Sequence, residues 1–422
     1  MIKAENNTIL GKFMNSIKQI LGTTLIIYGL LTVSATAVDM KIKRAHCINE
    51  LVEMPEQTFK AALHKSTLPS TLSIKHDVAG NLSVETAHKK YNCGQFGTLT
   101  IGQLQQRCNE KNKLGNGHFN VIEGVNTSNQ STFLAQVDIG ALQAHPDNKD
   151  AVFQIASNFN GLETTFAEQN IDTQLLGEYI HDKTQGPCAS LSAAPGLLLR
   201  RYFAFFDQNL LPQEWQQTQA HSINFLDKLP HITVTPAGYV VLDHTTLTHQ
   251  PTNEDYTNIK IGLHQNIQVT YGRKIDEEYH IRCTDPEQLI NQVFTAAIDF
   301  GNTNSQWRNN QNAQQWGQMI IKAAYEGTLR TAFAYDKKRV FLTLVGCGVF
   351  NNPLVWVSNV LNGLQSFIKE SGLDVTLIWY KSNNDNDEFR QALRTIVIDT
   401  DGIYTQYCET KKIKQMHYKD FQ

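Results

Sequence analysis

Apolar and polar residues follow two different periods along this chain, and each change of period marks an element. The clearest case is residues 339–364, RVFLTLVGCGVFNNPLVWVSNVLNGL. Residues 340–345 are an apolar run of buried-strand length. From Leu354 the apolar positions Leu354, Val357, Leu361 and Leu364 recur at helical spacing. Gly346, Cys347, Gly348, Val349, Phe350, Asn351, Asn352 and Pro353 lie between. The pattern predicts strand, glycine turn, helix.

The same reading predicts strands over 119–125, 152–156, 293–298 and 374–380, and a strand or hairpin over 259–270. A short strand is expected around residues 238–242, and an edge strand over 394–398. Helices are expected at 213–229 and 316–333, the second with Met319, Ile320, Ala323, Ala324 and Leu329 on its apolar side. Thr100 is placed to cap a helix running through Leu104 towards Cys108. Residues 40–90 are weakly patterned, 137–151 and 301–315 read as polar turns or loops, and the lysine-bearing tail from 411 reads as solvated.

Three turns carry candidate chemistry. The glycine turn lets main-chain N–H groups of Gly346, Cys347, Gly348, Val349, Phe350 and Asn351 approach an anion, and the following helix adds the positive end of its dipole. That is a phosphate seat; the plain alternative is a tight turn. No GKS or GKT follows, so it is not a Walker loop, and the third glycine of a dinucleotide fingerprint is missing. The strand 152–156 runs into Ala156, Ser157, Asn158, Asn160 and Glu163. Amides there either meet a ligand at the carboxyl edge of a sheet or bond local backbone. The loop 181–187 offers Asp182, Thr184, Gln185 and Gly186, followed by small residues against which a ligand can lie. Asp182 is the acid of most interest there, with capping as its plain role. Glu326 lies beside the apolar side of its helix, so it is either a surface residue or one held for a purpose.

Composition narrows the classes. At 422 residues the chain can hold a large core and two or three domains. A formal net charge of −3 gives no electrostatic reason for nucleic acid. Seven cysteines, widely separated and without a CxxC pair, argue against a disulfide framework and a zinc site. Cys347 fits its turn as a small residue rather than as a nucleophile. Residues 20–35 are apolar and uncharged, follow a lysine-bearing polar segment and precede a small-x-small triplet. The expectation over residues 1–39 is an export signal, with a membrane anchor over 20–37 as the competing reading.

In their order, these segments resemble the macrodomain family of ADP-ribose-binding proteins. WGQMIIKAAYEGTLRTAF, VFLTLVG, GCGVFNNP and VWVSNVLNGL are similar to the family's late helix, strand, diphosphate loop and following helix. QIASNFNGLE is similar to its strand and asparagine loop. DKTQGPCAS, the later RRYF and the earlier FGTLTIGQL resemble a divergent, MavL-type branch of ADP-ribosyl hydrolases among bacterial effectors.

The resemblance implies a three-layer α/β/α mixed sheet with an N-terminal extension, a core of about 90–385 and a middle insertion of about 204–312 that covers the pocket or recognises the partner. It implies hydrolysis of an ADP-ribose bond on a protein, with ADP-ribosylated ubiquitin among the substrates, or a non-catalytic reader of the same mark. Phe350 takes the place of the aromatic near the distal ribose, and Asn158 and Asn160 would orient the ribose carrying the scissile bond. Asp182 or Glu326, then Glu163, would position the water. ADP-ribose is the ligand; no metal or cofactor is required. Export to a host cytosol is the implied localisation. The family's run of three glycines is absent, TQGPCAS stands in its place, and the family's water arrangement is not carried over.

Overall fold

The structure, a computed structural model, describes residues 41–125, 137–182, 184–276, 278–382, 386–408 and 414–417. The expected signal or anchor over 1–39 and most of the lysine-bearing tail lie outside them. Among the described residues no helix is long and apolar enough to cross a membrane.

Among the described residues, eleven strands form one mixed sheet. Along the chain they are β1 (Ser73–His76), β2 (Leu82–Glu85), β3 (Lys90–Thr100), β4 (His118–Val125), β5 (Val152–Ala156) and β6 (Lys260–Gln268). They continue with β7 (Leu289–Thr295), β8 (Arg339–Thr343), β9 (Asp374–Ser382), β10 (Ile403–Cys408) and β11 (Lys414–His417). The spatial order is β11-β10-β4-β9-β8-β5-β7-β6-β3-β2-β1. From β10 to β7 all neighbours are parallel. The remaining pairings, including β7 with β6, are antiparallel. Parallel strands need both faces covered, which is why 152–155 and 340–342 carry no polar alternation beyond Gln154.

Helices that flank the sheet are α1 (Ile101–Asn109), α2 (Gln185–Ser192), α3 (Ala194–Tyr202), α4 (Gln311–Ala334), α5 (Leu354–Gly363) and α6 (Asp387–Asp399). Two buried glutamines show that they form two layers. Gln154 in β5 donates to the Ala324 carbonyl and the Thr328 hydroxyl of α4, both at 3.1 Å. Gln292 in β7 is the register partner of Phe153, so it points to the opposite face, where it donates to the Ala189 carbonyl of α2 at 3.1 Å. The expected three-layer α/β/α mixed sheet is therefore present.

Local signals explain several boundaries. Thr100 caps α1 through a reciprocal pair: its hydroxyl accepts from Gln103 N at 3.1 Å, and Gln103 Oε1 accepts from Thr100 N at 2.9 Å. Asn310 caps α4 by accepting from Ala313 N at 3.0 Å. The weakly patterned residues 41–90 form short helices and β1–β2, and Ile48, Leu51, Phe59 and Leu63 pack with Leu197 and Leu198 of α3. Residues 137–151 include a short helix, Ile139–Ala144, capped by Asp138.

Two expectations are corrected. Residues 213–229 hold only a 3-10 turn, Pro212–Trp215. Gln217 is the reason: its Nε2 donates to the carbonyls of Asn160 (3.1 Å) and Arg200 (2.8 Å), and its Oε1 accepts from Ile223 N at 2.9 Å. These long-range bonds replace a helical ladder. Residues 394–398 belong to α6, whose Phe389, Leu393, Ile396 and Val397 are buried at helical spacing. Within the stretch 204–312, β6 and β7 sit in the sheet.

Candidate active site

The parallel strands end along one edge of the sheet, and a cleft of about 690 Å³ opens there. That size suits a nucleotide-scale ligand. Its walls come from the ends of β5 and β8, the start of α2, the start of α5, Ala297 after β7, and Ile378 and Trp379 of β9.

One wall is the turn after β8. Gly346 stands at φ 72°, and a Cβ there would meet the Ala297 Cβ at 2.4 Å and Asn352 Nδ2 at 2.8 Å. Only glycine fits this conformation and this contact. Buried Asn352 ties the turn together, donating to the carbonyls of Ile298 (2.9 Å), Gly346 (3.1 Å) and Phe350 (3.3 Å). Phe300 N donates to the Phe350 carbonyl at 3.0 Å. Cys347 N closes back on Leu344 O, and Asn351 N on Gly348 O. The N–H groups of Gly346, Gly348, Val349 and Phe350 donate to no acceptor among the described residues. Uncommitted amides in a glycine turn, beside the start of α5, form a seat for an anion. Cys347 lines the cleft, and burial pushes its thiol up to about 12, which disfavours the thiolate.

The opposite wall holds the acids. Glu163 is 8% exposed and Asp182 lies half-buried nearer the surface. Burial, and then the carboxylate of Asp182, push Glu163 well above the usual carboxylate range, against the pull of Arg200 and Ser190. Its Oε1 accepts from the Ser190 hydroxyl at 3.1 Å, and its N–H donates to the Tyr179 hydroxyl at 2.8 Å. Asp182 accepts from Thr184 N at 2.7 Å, which fixes the loop before α2. Gly186 packs so tightly on β5 that a Cβ would meet the Ala156 carbonyl at 2.2 Å and Glu163 Oε2 at 2.8 Å. Gln185 accepts from the Thr343 hydroxyl at 2.6 Å, bridging the two walls, and its buried Nε2 has no partner among the described residues.

Ala156, Ser157, Asn158, Thr184, Gln185 and Gly186 therefore share one cleft with Gly346, Cys347, Gly348, Val349 and Phe350, and Asp182 and Glu163 face it as well. Three candidates lie elsewhere. Glu326 accepts from Tyr256 (2.5 Å), Arg330 (2.7 Å) and Gln105 (3.1 Å), joining α4 to α1 away from the cleft. Burial raises its proton affinity, but these donors outweigh it and hold the carboxyl below its ordinary range. This is a packing role, and the water-positioning expectation for Glu326 is corrected. Asn160 is fully buried, donating to the Pro236 carbonyl (2.9 Å) and accepting from Leu162 N (3.0 Å). Asn351, exposed at φ 54°, accepts from the Arg308 guanidinium at 3.1–3.2 Å once its amide is oriented oxygen-inward. Asn158 lines the cleft, yet its Nδ2 is committed to the carbonyls of Thr164 (3.0 Å) and Ala237 (3.1 Å).

Tyr239 and Trp379 also line the cleft, and sequence reasoning missed them. Tyr239 reaches it because Gly238, at φ 86°, brings a hairpin against the asparagine loop, where a Cβ would meet Asn158 and Asn160 at 2.8 Å. The glycine was the available signal. Tyr239 packs on Phe350 with ring centroids 5.6 Å apart.

No family model and no curated protein matches the chain. Among solved structures, poly(ADP-ribose) glycohydrolase from Deinococcus radiodurans in complex with ADP-ribose is 11% identical. That match covers 72% of this chain and 94% of that one at a TM-score of 0.36. Poly(ADP-ribose) glycohydrolase from Thermomonospora curvata is 10% identical, covering 84% and 98% at a TM-score of 0.36. Its structure bound to the inhibitor ADP-HPD scores 0.34 at 10% identity, covering 83% and 98%. At these values the likeness carries no argument about this chain's ligand.

Proposed function

We propose that this chain is an ADP-ribosyl hydrolase that releases ADP-ribose from a modified protein. One observation carries the reading: a turn with uncommitted amides and a buried carboxyl of raised proton affinity line the same cleft. The motifs described above say which ligand joins the two. The diphosphate rests on the N–H groups of Gly346, Gly348, Val349 and Phe350, fixed donors that replace water. Phe350 and Tyr239 flank the sugar end.

The reacting carbon then lies towards Glu163 and Asp182. In the hydrolysis, a water oxygen bonds to the anomeric carbon while the bond from that carbon to the protein breaks. The departing group receives the proton of the Glu163 carboxyl, and the carboxylate left behind takes one proton from the attacking water, which restores Glu163. The transition state has oxocarbenium character. A carboxyl with raised proton affinity suits such transfer, and a neighbouring carboxyl helps hold the water. Glu163 takes the first role and Asp182 the second. ADP-ribosylated ubiquitin is the substrate the sequence resemblance points to, and export by residues 1–39 is the localisation that goes with it.

The test is release of ADP-ribose from an ADP-ribosylated protein, with calorimetry on free ADP-ribose alongside. Turnover in the wild type, lost in Asp182→Ala with binding retained, supports hydrolysis. Binding without any turnover assigns the chain as a reader. No heat of binding removes both readings.

A further inference from the structure

Glu163 is the end of a chain of hydrogen bonds that begins in the sheet. His264 Nε2 lies 2.7 Å from the Cys93 carbonyl of β3. A carbonyl only accepts, so Nε2 carries the ring proton. Nδ1 of His264 lies 3.2 Å from an Arg200 Nη. A guanidinium only donates, so Nδ1 is the acceptor and the ring is neutral. Burial, and then the charge of Arg200, lower its proton affinity in the same sense. Arg200 also donates through Nε to the Gly161 carbonyl at 3.0 Å, stacks its guanidinium 3.7 Å from the Phe294 ring centroid, and donates its other Nη to Ser190 Oγ at 3.3 Å. The Ser190 hydroxyl therefore accepts from Arg200, and its single proton is directed at Glu163 Oε1, 3.1 Å away.

We infer that Ser190 is a positioning residue for the reaction proposed above: locked by Arg200, it keeps Glu163 Oε1 as an acceptor and leaves Oε2 as the oxygen that exchanges a proton with the cleft. The inference rests on the hydrolase reading. Oε2 lies against Gly186, which lines the cleft. A free carboxyl can carry its proton on either oxygen and so presents two half-populated geometries; a fixed donor on one removes that choice. Ser190 and Arg200 are both fully buried, so neither touches a ligand in the cleft. Other groups that act on Glu163 are Asp182 from the loop before α2, Tyr179 from the preceding 3-10 turn, and Tyr239 from the facing hairpin.

The experiment compares the full-length wild type, Ser190→Ala and Ser190→Thr. It follows the infrared band of the protonated Glu163 carboxyl, identified by its loss in Glu163→Gln, and the pH dependence of ADP-ribose release. Thermal unfolding establishes that each variant is folded. Ser190→Ala removes a hydrogen bond that favours the charged form, so the infrared midpoint moves up by roughly one pH unit. The Glu163 limb of the rate profile moves with it, kcat falls about ten-fold and KM stays within about two-fold. Ser190→Thr, which keeps the hydroxyl, restores the midpoint. An unmoved midpoint in folded Ser190→Ala overturns the inference, as does a downward shift, which would mean that Arg200 had closed directly on the carboxylate. If the wild type releases no ADP-ribose, the hydrolase reading falls, and the midpoint alone still decides whether Ser190 orients the carboxyl.

Discussion

Glu163 and Gly346 line the same cleft and invite opposite tests. Replacing the Glu163 carboxyl with an amide keeps its size and removes its proton chemistry. Glu163→Gln is expected to lower turnover by about 10²- to 10⁴-fold with ADP-ribose affinity within a few-fold of wild type, read by steady-state kinetics and calorimetry. The same variant has a signature in stability. The folded state holds Glu163 protonated beyond the pH at which the unfolded chain ionises. Native protein thus binds the extra proton, and its stability falls as pH rises from the unfolded carboxyl range through the raised folded one. Gln does not titrate. Its melting temperature relative to wild type should be higher at neutral pH than at pH 4, and a gap independent of pH would contradict the raised proton affinity. At Gly346 the main chain itself is the reagent. Gly346→Ala combines a positive φ with contacts of 2.4 and 2.8 Å. It should cost about 1–3 kcal/mol in stability and at least ten-fold in ADP-ribose affinity, by denaturant titration and calorimetry.

At the scale of elements, the helix after Thr100 gives a clean case. Thr100→Ala removes one half of a reciprocal cap and should cost about 1 kcal/mol, seen as a lowered denaturant midpoint with unchanged slope. That cap was legible because it is local: a threonine three residues before a glutamine. The strand–turn–helix of 339–364 and the strand 152–156 were legible for the same reason, since their periods change within a few residues. The cleft was legible only as separate turns. Nothing in 181–202 announces that α2 and α3 bring Ser190 and Arg200 up behind Glu163, so the carboxyl ranked third in sequence is the more buried of the two acids in the cleft. Glu326 misled in the converse way, because an acid on an apolar helix face has the same appearance whether it serves a ligand or Tyr256 and Arg330. Residues 213–229 misled because polar side chains that bond distant carbonyls look, in sequence, like the solvated face of a helix.

For the whole molecule, ligand and fold are coupled by mass action. At ADP-ribose one hundred-fold above its dissociation constant, stabilisation should reach about 2.7 kcal/mol, and an upward melting shift that keeps growing with the logarithm of ligand concentration checks it. The stretch 204–312 carries β6 and β7, so excising it should leave a chain without a cooperative unfolding transition rather than a smaller active core. The parallel arrangement has one more consequence, for time rather than energy. The strands whose ends frame the cleft lie far apart along the chain, from β5 at 152–156 through β8 at 339–343 to β9 at 374–382, and their neighbours form only after long crossovers. During refolding from denaturant, helical ellipticity should therefore return well ahead of the capacity to capture ADP-ribose, so that competence is acquired late and all at once.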